Sequence, residues 1–339
     1  MNVETLRLLL RRLAWSLGVV FAVTTATFFL NRAIPSDPAR MVAGPQARPA
    51  DVARIREQLG LDRPLSVQYA IFLSRLVHAG PSSFDARKDG AHATCGHLGP
   101  LHLDLGRSYQ QRRPVVAILK ERLPYTAVLA LAATALSVLL GVGSGLVAAL
   151  RRNSWIDALT VGAALVGISA PTFILGVTLQ FVLAYQLGIL PLNGAGDGLV
   201  DEARHLVLPT LTLGIFGAAF YTRMARAELV ELLQQDFIRT ARAKGLPPWR
   251  VVLVHALRNA LVPIVTVIGL DLGGLLGGAV ITEQIFSWPG VGMLAVRAMR
   301  DRDGPVIIGT VLVGAVAIVA ANAVVDFAYA LLDPRIRHH

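Results

Sequence analysis

The sequence predicts an all-α integral membrane protein with six transmembrane helices. Hydrophobic residues make up 54% of its 339 residues, charged residues only 16%, and the mean hydropathy is +0.57. Soluble domains carry roughly 25% charged residues, so this composition excludes an ordinary soluble fold. The net charge of +10 does not indicate a nucleic-acid partner, because the basic residues separate long apolar runs, as they do in membrane proteins.

The first apolar run extends from Leu13 to Leu30 and follows the basic residues Arg7, Arg11 and Arg12. Its length of about 18 residues is near the minimum for crossing a bilayer. The alternative is a cleavable signal peptide, whose apolar core has about 7–15 residues and ends in small residues. This run ends in bulky residues, so we predict that residues 1–31 form a cytoplasmic segment and an uncleaved first span.

A polar region is predicted at residues 32–113. Pro35 and Pro38 break the chain directly after the first span. Two short helices are expected within the region, at Val52–Leu59 and Val67–Val77, because apolar residues recur there at helical spacing.

The segment 81–103 differs in character from the rest of this polar region and is predicted to be a surface insertion. Four of its side chains could in principle ligate a soft metal ion. These are His92, Cys95, His97 and His102. Their spacing matches no established metal motif, so the insertion remains the preferred interpretation. The single cysteine also excludes an intramolecular disulfide.

Five further spans are predicted after this region. The uncharged run from Ala158 to Gly196 has about 39 residues, whereas two spans need roughly 40 and a turn, so we expect one long helix to about Leu187. Pro171 should kink that helix. The other spans are predicted at Leu123–Leu150, Leu206–Thr222, Leu261–Thr282 and Val306–Val325. Glycines in the second span should allow close approach of a neighbouring helix; they are Gly141, Gly143 and Gly145.

The distribution of arginine and lysine orients the spans. Short segments on the N-terminal side carry these residues at fourteen positions, whereas the opposite short loops carry only Arg204, Arg297, Arg300 and Arg302. The positive-inside rule therefore predicts that both termini are cytoplasmic and that the long polar region faces outward.

The charged segment Glu228–Pro263 lies on this cytoplasmic side. An amphipathic helix is predicted at its start, with an apolar face of Leu229, Leu232, Leu233, Phe237 and Ala241. Gly245 suits the position after a helix end, and Pro247 and Pro248 prevent simple continuation. A second helix is predicted at Trp249–Asn259. This arrangement is typical of a knob that docks in another protein, although a basic loop at the lipid surface is the alternative.

The fifth span combines small residues with one charge. Gly269, Gly273 and Gly277 recur every four residues, as do Gly274 and Gly278, which indicates close helix packing or a wall with room for a solute. Asp271 lies among them, and a charge in a membrane should face the bundle or water. It is a pathway residue, a carboxylate bonded to neighbouring helices, or a protonated carboxyl group. In the sixth span, Asn322 and Asp326 are interpreted as groups that hydrogen-bond between helices.

No motif for nucleotide hydrolysis or hydrolase chemistry is present. The only lysines are Lys88, Lys120 and Lys244, and none follows a glycine as a P-loop requires. The patterns of zinc metalloproteases and serine hydrolases are also absent. The chain therefore predicts a transporter that is driven by a partner. A self-contained secondary transporter or channel stays as a distant alternative, and a membrane enzyme as a more distant one.

Several motifs together carry a resemblance to a known family. The run Arg239–Gly245 (RTARAKG), followed by His255–Asn259 (HALRN) and Pro263, resembles the cytoplasmic "EAA" loop of bacterial ABC-importer permeases. It is most similar to the loop of the dipeptide, oligopeptide and nickel branch. Further matching segments are Ile34–Pro38, Leu59–Pro64, Thr282–Gly290 and Asp333–Arg337. The resemblance thus covers nearly the whole chain.

The resemblance implies the type I ABC importer permease fold, with a permease domain at 114–332 and a cytoplasmic tail at 333–339. It implies that the charged segment contains a coupling helix that docks on an ATPase, through Asp236, Arg239, Thr240, Ala241, Ala243, Lys244, Gly245 and Leu246. The implied partners are a second permease, two ATPase subunits and an external solute-binding protein in a bacterial cytoplasmic membrane. ATP and magnesium would be used by the ATPases, and this chain would bind no cofactor.

The implied solutes are di- or oligopeptides, and the alternatives within the family are nickel chelates, glutathione and opines. Two features depart from the family pattern. Arg239-Thr240-Ala241 replaces the Glu-Ala-Ala of the general motif, and the segment 81–103 is additional.

Overall fold

The computed structural model describes residues 3–33, 37–44, 46–79, 95–98 and 101–332. The helices that precede and include the long second span are α1 (Val3–Ala33), α2 (Pro38–Ala43), α3 (Pro49–Gln58), α4 (Leu65–Leu76) and α5 (Val115–Leu150). The later helices are α6 (Trp155–Ser169), α7 (Thr172–Leu179), α8 (Leu199–Leu232), α9 (Asp236–Ala243), α10 (Pro248–Arg250), α11 (Leu257–Leu276), α12 (Val280–Ile285), α13 (Val291–Arg300) and α14 (Gly304–Leu332). Two segments are π-helical. Gln180–Gln186 continues α7, and Val251–Ala256 joins α10 to α11.

Five of these helical stretches are long and apolar enough to cross a membrane, counting only the described residues. They are Ala14–Ala33, Val115–Leu150, Leu199–Leu232, Pro248–Leu276 and Gly304–Val325. A sixth span is completed if the bent pair Trp155–Ser169 and Thr172–Gln186 counts as one. The predicted helical membrane fold with six spans is confirmed on that count.

The prediction of one kinked helix from Ala158 to Leu187 was wrong. The helix axis turns by 100° between α6 and α7. Ala170 and Pro171 both adopt extended backbone, with ψ angles of 126° and 136°. Proline disfavours helical backbone in the residue before it, so the break falls at Ala170, and the extended Pro171 enlarges it from a kink into a corner.

The boundaries of the fourth and fifth spans also differ from the prediction. Helix α8 continues to Leu232, well past the predicted end at Thr222. Helix α11 ends at Leu276, and Gly278 adopts a φ of 122°. Glycine loses more backbone freedom in a helix than other residues do, so the Gly277-Gly278 pair ends this span before the predicted Thr282.

A small sheet lies in the polar region, so the all-α prediction was incomplete. Strands β1 (Val77–Ala79), β2 (Cys95–Leu98) and β3 (Leu101–Asp104) are antiparallel, with β3 in the centre. Strand β2 falls within the predicted insertion at 81–103, and β3 begins within it and ends one residue beyond it. Helices α3 and α4 lie close to the two short helices predicted there.

The chain divides into two compact units. One comprises Met1–Pro124 and Gly290–Val316. Its core surrounds the start of α5, where Val115 and Ile118 are buried against Val291 and Val306. The buried Asp303 carboxylate accepts hydrogen bonds from the Ser108 hydroxyl at 2.5 Å and the Tyr109 N–H at 3.1 Å, which ties two distant segments of the chain together.

The other unit comprises Tyr125–Pro289 and Ala317–His339. Glycines on α5 allow α8 to lie close to it, because a Cβ added to Gly141 would be 2.8 Å from the Ala218 carbonyl oxygen, and one on Gly145 2.7 Å from that of Thr222. The predicted close approach is confirmed at these two glycines. It is wrong for Gly143, where an added Cβ would meet no other atom within 4 Å.

Candidate functional site

Helix α9 is a short helix with a non-helical connection on each side. Residues 233–235 connect it to α8, and residues 244–247 connect it to α10. Asp236 begins α9 and places a carboxylate at the positive end of its helix dipole, which stabilises the helix start. The predicted amphipathic helix from Glu228 is therefore two helices, α8 and α9, separated by a turn.

Gly245 closes α9 with a left-handed backbone, at a φ of 78°. Its N–H donates to the Arg242 carbonyl at 3.0 Å, and the Leu246 N–H donates to the Ala241 carbonyl at 3.4 Å. These two bonds form the Schellman motif, which satisfies carbonyls that would otherwise lack a partner at the helix end. The predicted position of Gly245 directly after the helix is confirmed.

The inner face of α9 consists of Ile238 and Ala241, which are 0% and 6% exposed. They belong to one apolar cluster with Leu229 of α8. The cluster also contains Val251 and Ala256 of the second π-helical segment and Ala260 of α11. The prediction that Phe237 lies on this face was wrong, since its side chain is 38% exposed. The helical phase restarts at Asp236 because α8 has already ended, so Ile238 takes the place of Phe237 on the buried face, while the predicted Ala241 remains on it.

The outer face of α9 is open to solvent. Most of the predicted ATPase-coupling residues lie on it or at its end; the exposed ones are Asp236, Arg239, Thr240, Ala243, Lys244 and Gly245, whereas Leu246 is partly buried. Arg239 and Asp236 form an ion pair at 3.4 Å, but both are so exposed that it contributes little stability. The helix thus has one face anchored to the membrane bundle and one face free to bind another protein.

A second group of interest lies within the membrane bundle. The Tyr221 hydroxyl on α8 donates a hydrogen bond to Asp271 Oδ2 on α11 at 2.6 Å. Tyr221 is 1% exposed, whereas Asp271 is exposed. Oδ2 of Asp271 is therefore bonded to a neighbouring helix, which is one of the interpretations that the sequence left open for this residue.

The glycines around Asp271 have different surroundings. A Cβ on Gly273 would lie 2.9 Å from the Ala321 Cβ, so this residue packs against α14. A Cβ on Gly274 would meet no other atom within 4 Å. Gly277 and Gly278 follow the end of α11, so they do not continue a helical stripe.

Asp157 and Arg226 form a partly buried ion pair that was not predicted from the sequence. Arg226 Nε and Nη2 lie 2.5 and 2.7 Å from the two oxygens of Asp157, which is 5% exposed. Ser154 caps α6, and its Oγ accepts from the Asp157 N–H at 3.4 Å. A Ser-x-x-Asp pattern at the start of an apolar run is a known capping signal, so the sequence did mark this helix start, but not the pairing of Asp157 with Arg226.

Glu283 on α12 is a second missed group. It is 0% exposed and accepts a hydrogen bond from the Thr126 hydroxyl at 3.0 Å. These residues are 157 positions apart in the chain, so no local pattern could have paired them.

The metal hypothesis gains no support. Among the described residues, no three His, Cys, Asp or Glu side chains are placed to hold a metal ion. His97 and His102 are partners in the β2–β3 register, and His92 lies outside the described residues. Burial and the nearby Asp104 raise the pKa of the Cys95 thiol, which disfavours the thiolate that metals bind. Asn322 is exposed, and the Asp326 side chain lies outside the described part of the chain.

Comparison with known families identifies the chain. The family model described as "Binding-protein-dependent transport system inner membrane component" matches residues 141–338, which is more than half of the chain, and the model of the N-terminal part of the same membrane component matches residues 5–130. The chain belongs to this family. The resemblance drawn from the RTARAKG run is confirmed.

Relatives of this permease match over almost their whole length. The glutathione transport system permease protein GsiC of Escherichia coli strain CFT073 is 38% identical over 333 residues, covering 98% of this chain and 99% of the relative. A putative peptide transport system permease protein of Brucella abortus strain 2308 is 39% identical over 334 residues, with the same coverage. The probable D,D-dipeptide transport system permease protein DdpB of Escherichia coli K12 is 38% identical, covering 97% of each chain.

Solved structures agree on the fold of this permease. An inward-facing form of the MetNI methionine ABC transporter aligns with a TM-score of 0.50 and 21% identity, over 63% of this chain and 94% of the other. A second crystal form of that transporter gives a TM-score of 0.51 at 18% identity. The chain is therefore a multi-pass permease subunit of an ABC importer, with the membrane fold of that class.

Proposed function

We propose that this permease forms half of the membrane pathway of an ATP-driven importer of short peptides. The three relatives described above are named for peptides, a D,D-dipeptide and glutathione. These solutes share amide bonds, a charged amino group and carboxylates. That common chemistry supports short peptides in preference to nickel chelates or opines.

The proposal assigns α9 the role of the coupling helix. Its buried inner face supports this role, because Ile238 and Ala241 join α9 to α8 and to the π-helical segment that leads into α11. A force applied to the exposed outer face is thereby transmitted to two spans. Separate ATPase subunits bind and hydrolyse ATP with magnesium, and this chain contributes no catalytic residue.

The remaining subunits follow from the same proposal. A second, similar permease completes the pathway, and an external solute-binding protein delivers the peptide to the outward side. Both termini and α9 face the cytoplasm, as the arginine and lysine distribution supports. The region 32–113, including the insertion at 81–103, faces the binding protein, and 114–332 is the permease domain, followed by the tail at 333–339.

Closure of the ATPases around ATP moves α9 of each permease and reverses the side to which the pathway opens. Asp271 and Gly274 are assigned to the pathway side of α11. Of the other predicted pathway residues, Gly273 packs against α14, and Gly277 and Gly278 lie beyond the end of the helix. Small residues and one carboxylate suit a wall that a peptide passes.

The test is affinity purification of the tagged permease from its native membrane in mild detergent, followed by mass spectrometry. We expect a second permease and a P-loop ATPase to co-purify. Recovery of this chain alone in a folded state would instead indicate a self-contained transporter.

Two phenylalanine variants make this test specific to α9. Phe237→Ala removes a 38% exposed ring from the coupling helix and should reduce ATPase recovery, because an exposed aromatic ring is a frequent anchor of protein interfaces. Phe181→Ala removes a 50% exposed ring from the π-helical end of the third span and serves as the matched control. Equal ATPase recovery in both variants would contradict the docking role of α9.

A further inference from the structure

Asp271 carries a carboxylate that one buried hydroxyl holds in place. Tyr221 donates to Oδ2 at 2.6 Å, and its own ring is packed in a cluster with Ala225 and Ile264. The tyrosine cannot turn away without leaving this cluster. The bond therefore restricts the orientation of the carboxylate, while the residue as a whole stays exposed.

In the part of the chain that the structure describes, no cationic side chain pairs with this carboxylate. Asp271 makes no ion pair with any residue in the described ranges, and its residue is exposed. At 1.5 Å per residue, it lies about 21 Å from the start of α11 and about 8 Å from its end, which is within the apolar part of the span. A charge within the apolar part of a span is costly, so Asp271 must face water, a partner or a solute.

The surface beside Asp271 leaves room for a ligand. Gly274, one turn further along α11, has open space where a side chain would be. An ionised carboxylate accepts hydrogen bonds only, so the ligand must be a donor, and a primary ammonium group offers three donors on a compact charge.

We propose that Asp271 is the subsite that binds the charged amino group of the peptide during its passage, with Tyr221 as the positioning residue. This inference rests on the proposed import of short peptides and adds to it the group of the solute that the permease recognises. The other possible donor is a basic side chain of the second permease, and the test below separates the two.

The test uses the complete transporter in proteoliposomes with a labelled short peptide that the wild-type complex imports. Cys95→Ser removes the only cysteine of this chain, and the complex that carries it, treated with the same thiol reagents, is the reference for labelling of the other subunits. Asp271→Cys in that background should lower peptide uptake per hydrolysed ATP about tenfold, the effect of losing one charge-assisted contact.

Charge is then restored chemically. Sulfonatoethyl methanethiosulfonate adds an anion to the introduced thiol as a mixed disulfide and releases methanesulfinate, whereas the trimethylammonioethyl reagent adds a cation. We expect the anionic adduct to recover uptake and the cationic adduct to leave it low or abolish it. Failure of both reagents to label the thiol would show that the site is not reached by water, and equal effects of both adducts would show that charge is not recognised. Either result overturns the proposal.

Two further measurements exclude indirect effects. Tyr221→Phe should raise the peptide concentration for half-maximal uptake more than it lowers the maximal uptake rate, and Asp271→Glu should recover uptake better than Asp271→Asn. Loss of the second permease from the purified Asp271→Asn complex would assign the carboxylate to a subunit contact and overturn the proposal. Absence of peptide uptake by the wild-type complex would instead contradict the proposed function itself.

Discussion

The left-handed backbone of Gly245 allows the coupling role of α9 to be tested by strain alone. A Cβ added at Gly245 would meet no atom within 4 Å, so Gly245→Ala introduces no clash within the chain. Its cost arises from the φ of 78°, which penalises an L residue by about 1–2 kcal/mol. Since 1.4 kcal/mol corresponds to a factor of ten in an equilibrium constant, the docking-competent form of α9 should become about 5- to 30-fold less favoured.

A series of variants at this position separates strain from bulk. Gly245→Asn should retain most function, because asparagine tolerates the left-handed region better than alanine does. Gly245→Leu should be worse than Gly245→Ala, because its side chain projects from an exposed position towards the bound ATPase. Gly188→Ala is the matched control, since Gly188 has a φ of 61° and equally open surroundings in the loop that follows the third span.

The assay is ATPase binding to the purified permease complex, together with peptide uptake per hydrolysed ATP in proteoliposomes. Gly245→Ala should weaken both, whereas Gly188→Ala should affect neither even if it lowers the melting temperature. The reasoning is refuted if the two alanine variants behave alike, or if Gly245→Asn is as impaired as Gly245→Leu.

Two further predictions concern packing and charge in the bundle. Gly273→Ala should destabilise the permease by about 1–3 kcal/mol, because the new Cβ overlaps α14. Gly274→Ala should not lower the melting temperature, because its Cβ meets open space. Melting curves of the two purified variants check this prediction, and equal losses of stability would contradict the helix contact. Asp157→Asn should lower the melting temperature by leaving the Arg226 charge without its counter-ion, and the double variant Asp157→Leu with Arg226→Met should recover much of the loss. A double variant that is less stable than Asp157→Asn would show that the pair contributes more than charge compensation.

Local physics made much of this fold predictable from the sequence. Uncharged runs of sufficient length predicted the spans, and Gly245 followed by Pro247 and Pro248 predicted the end of α9, because these signals act within a few residues. The 100° turn at Ala170 could not be predicted in the same way. A proline indicates that a helix is interrupted, but the angle depends on how the two halves pack against the rest of the bundle.

The candidate site was predictable to a similar extent. The exposed residues of α9 were recognised through a family motif, whereas its buried face was assigned with a phase error, because the turn at 233–235 contains no glycine or proline to mark it. The hydrogen bond between Tyr221 and Asp271 joins residues 50 positions apart. Sequence reasoning identified the carboxylate as unusual but had no means to find its partner.

The two proposed sites are connected through the same pair of helices. Leu229 and Tyr221 both lie on α8, and Ala260 and Asp271 both lie on α11. The apolar cluster under α9 joins these two helices at the α9 end, and the Tyr221–Asp271 bond joins them about 16 Å further along α11. A displacement of α9 that slides α8 relative to α11 changes the distance between Tyr221 and Asp271. Under the proposed function, ATP binding therefore alters the hold on the peptide amino group at the step when the pathway reverses, and this supplies the differential affinity that a pump requires.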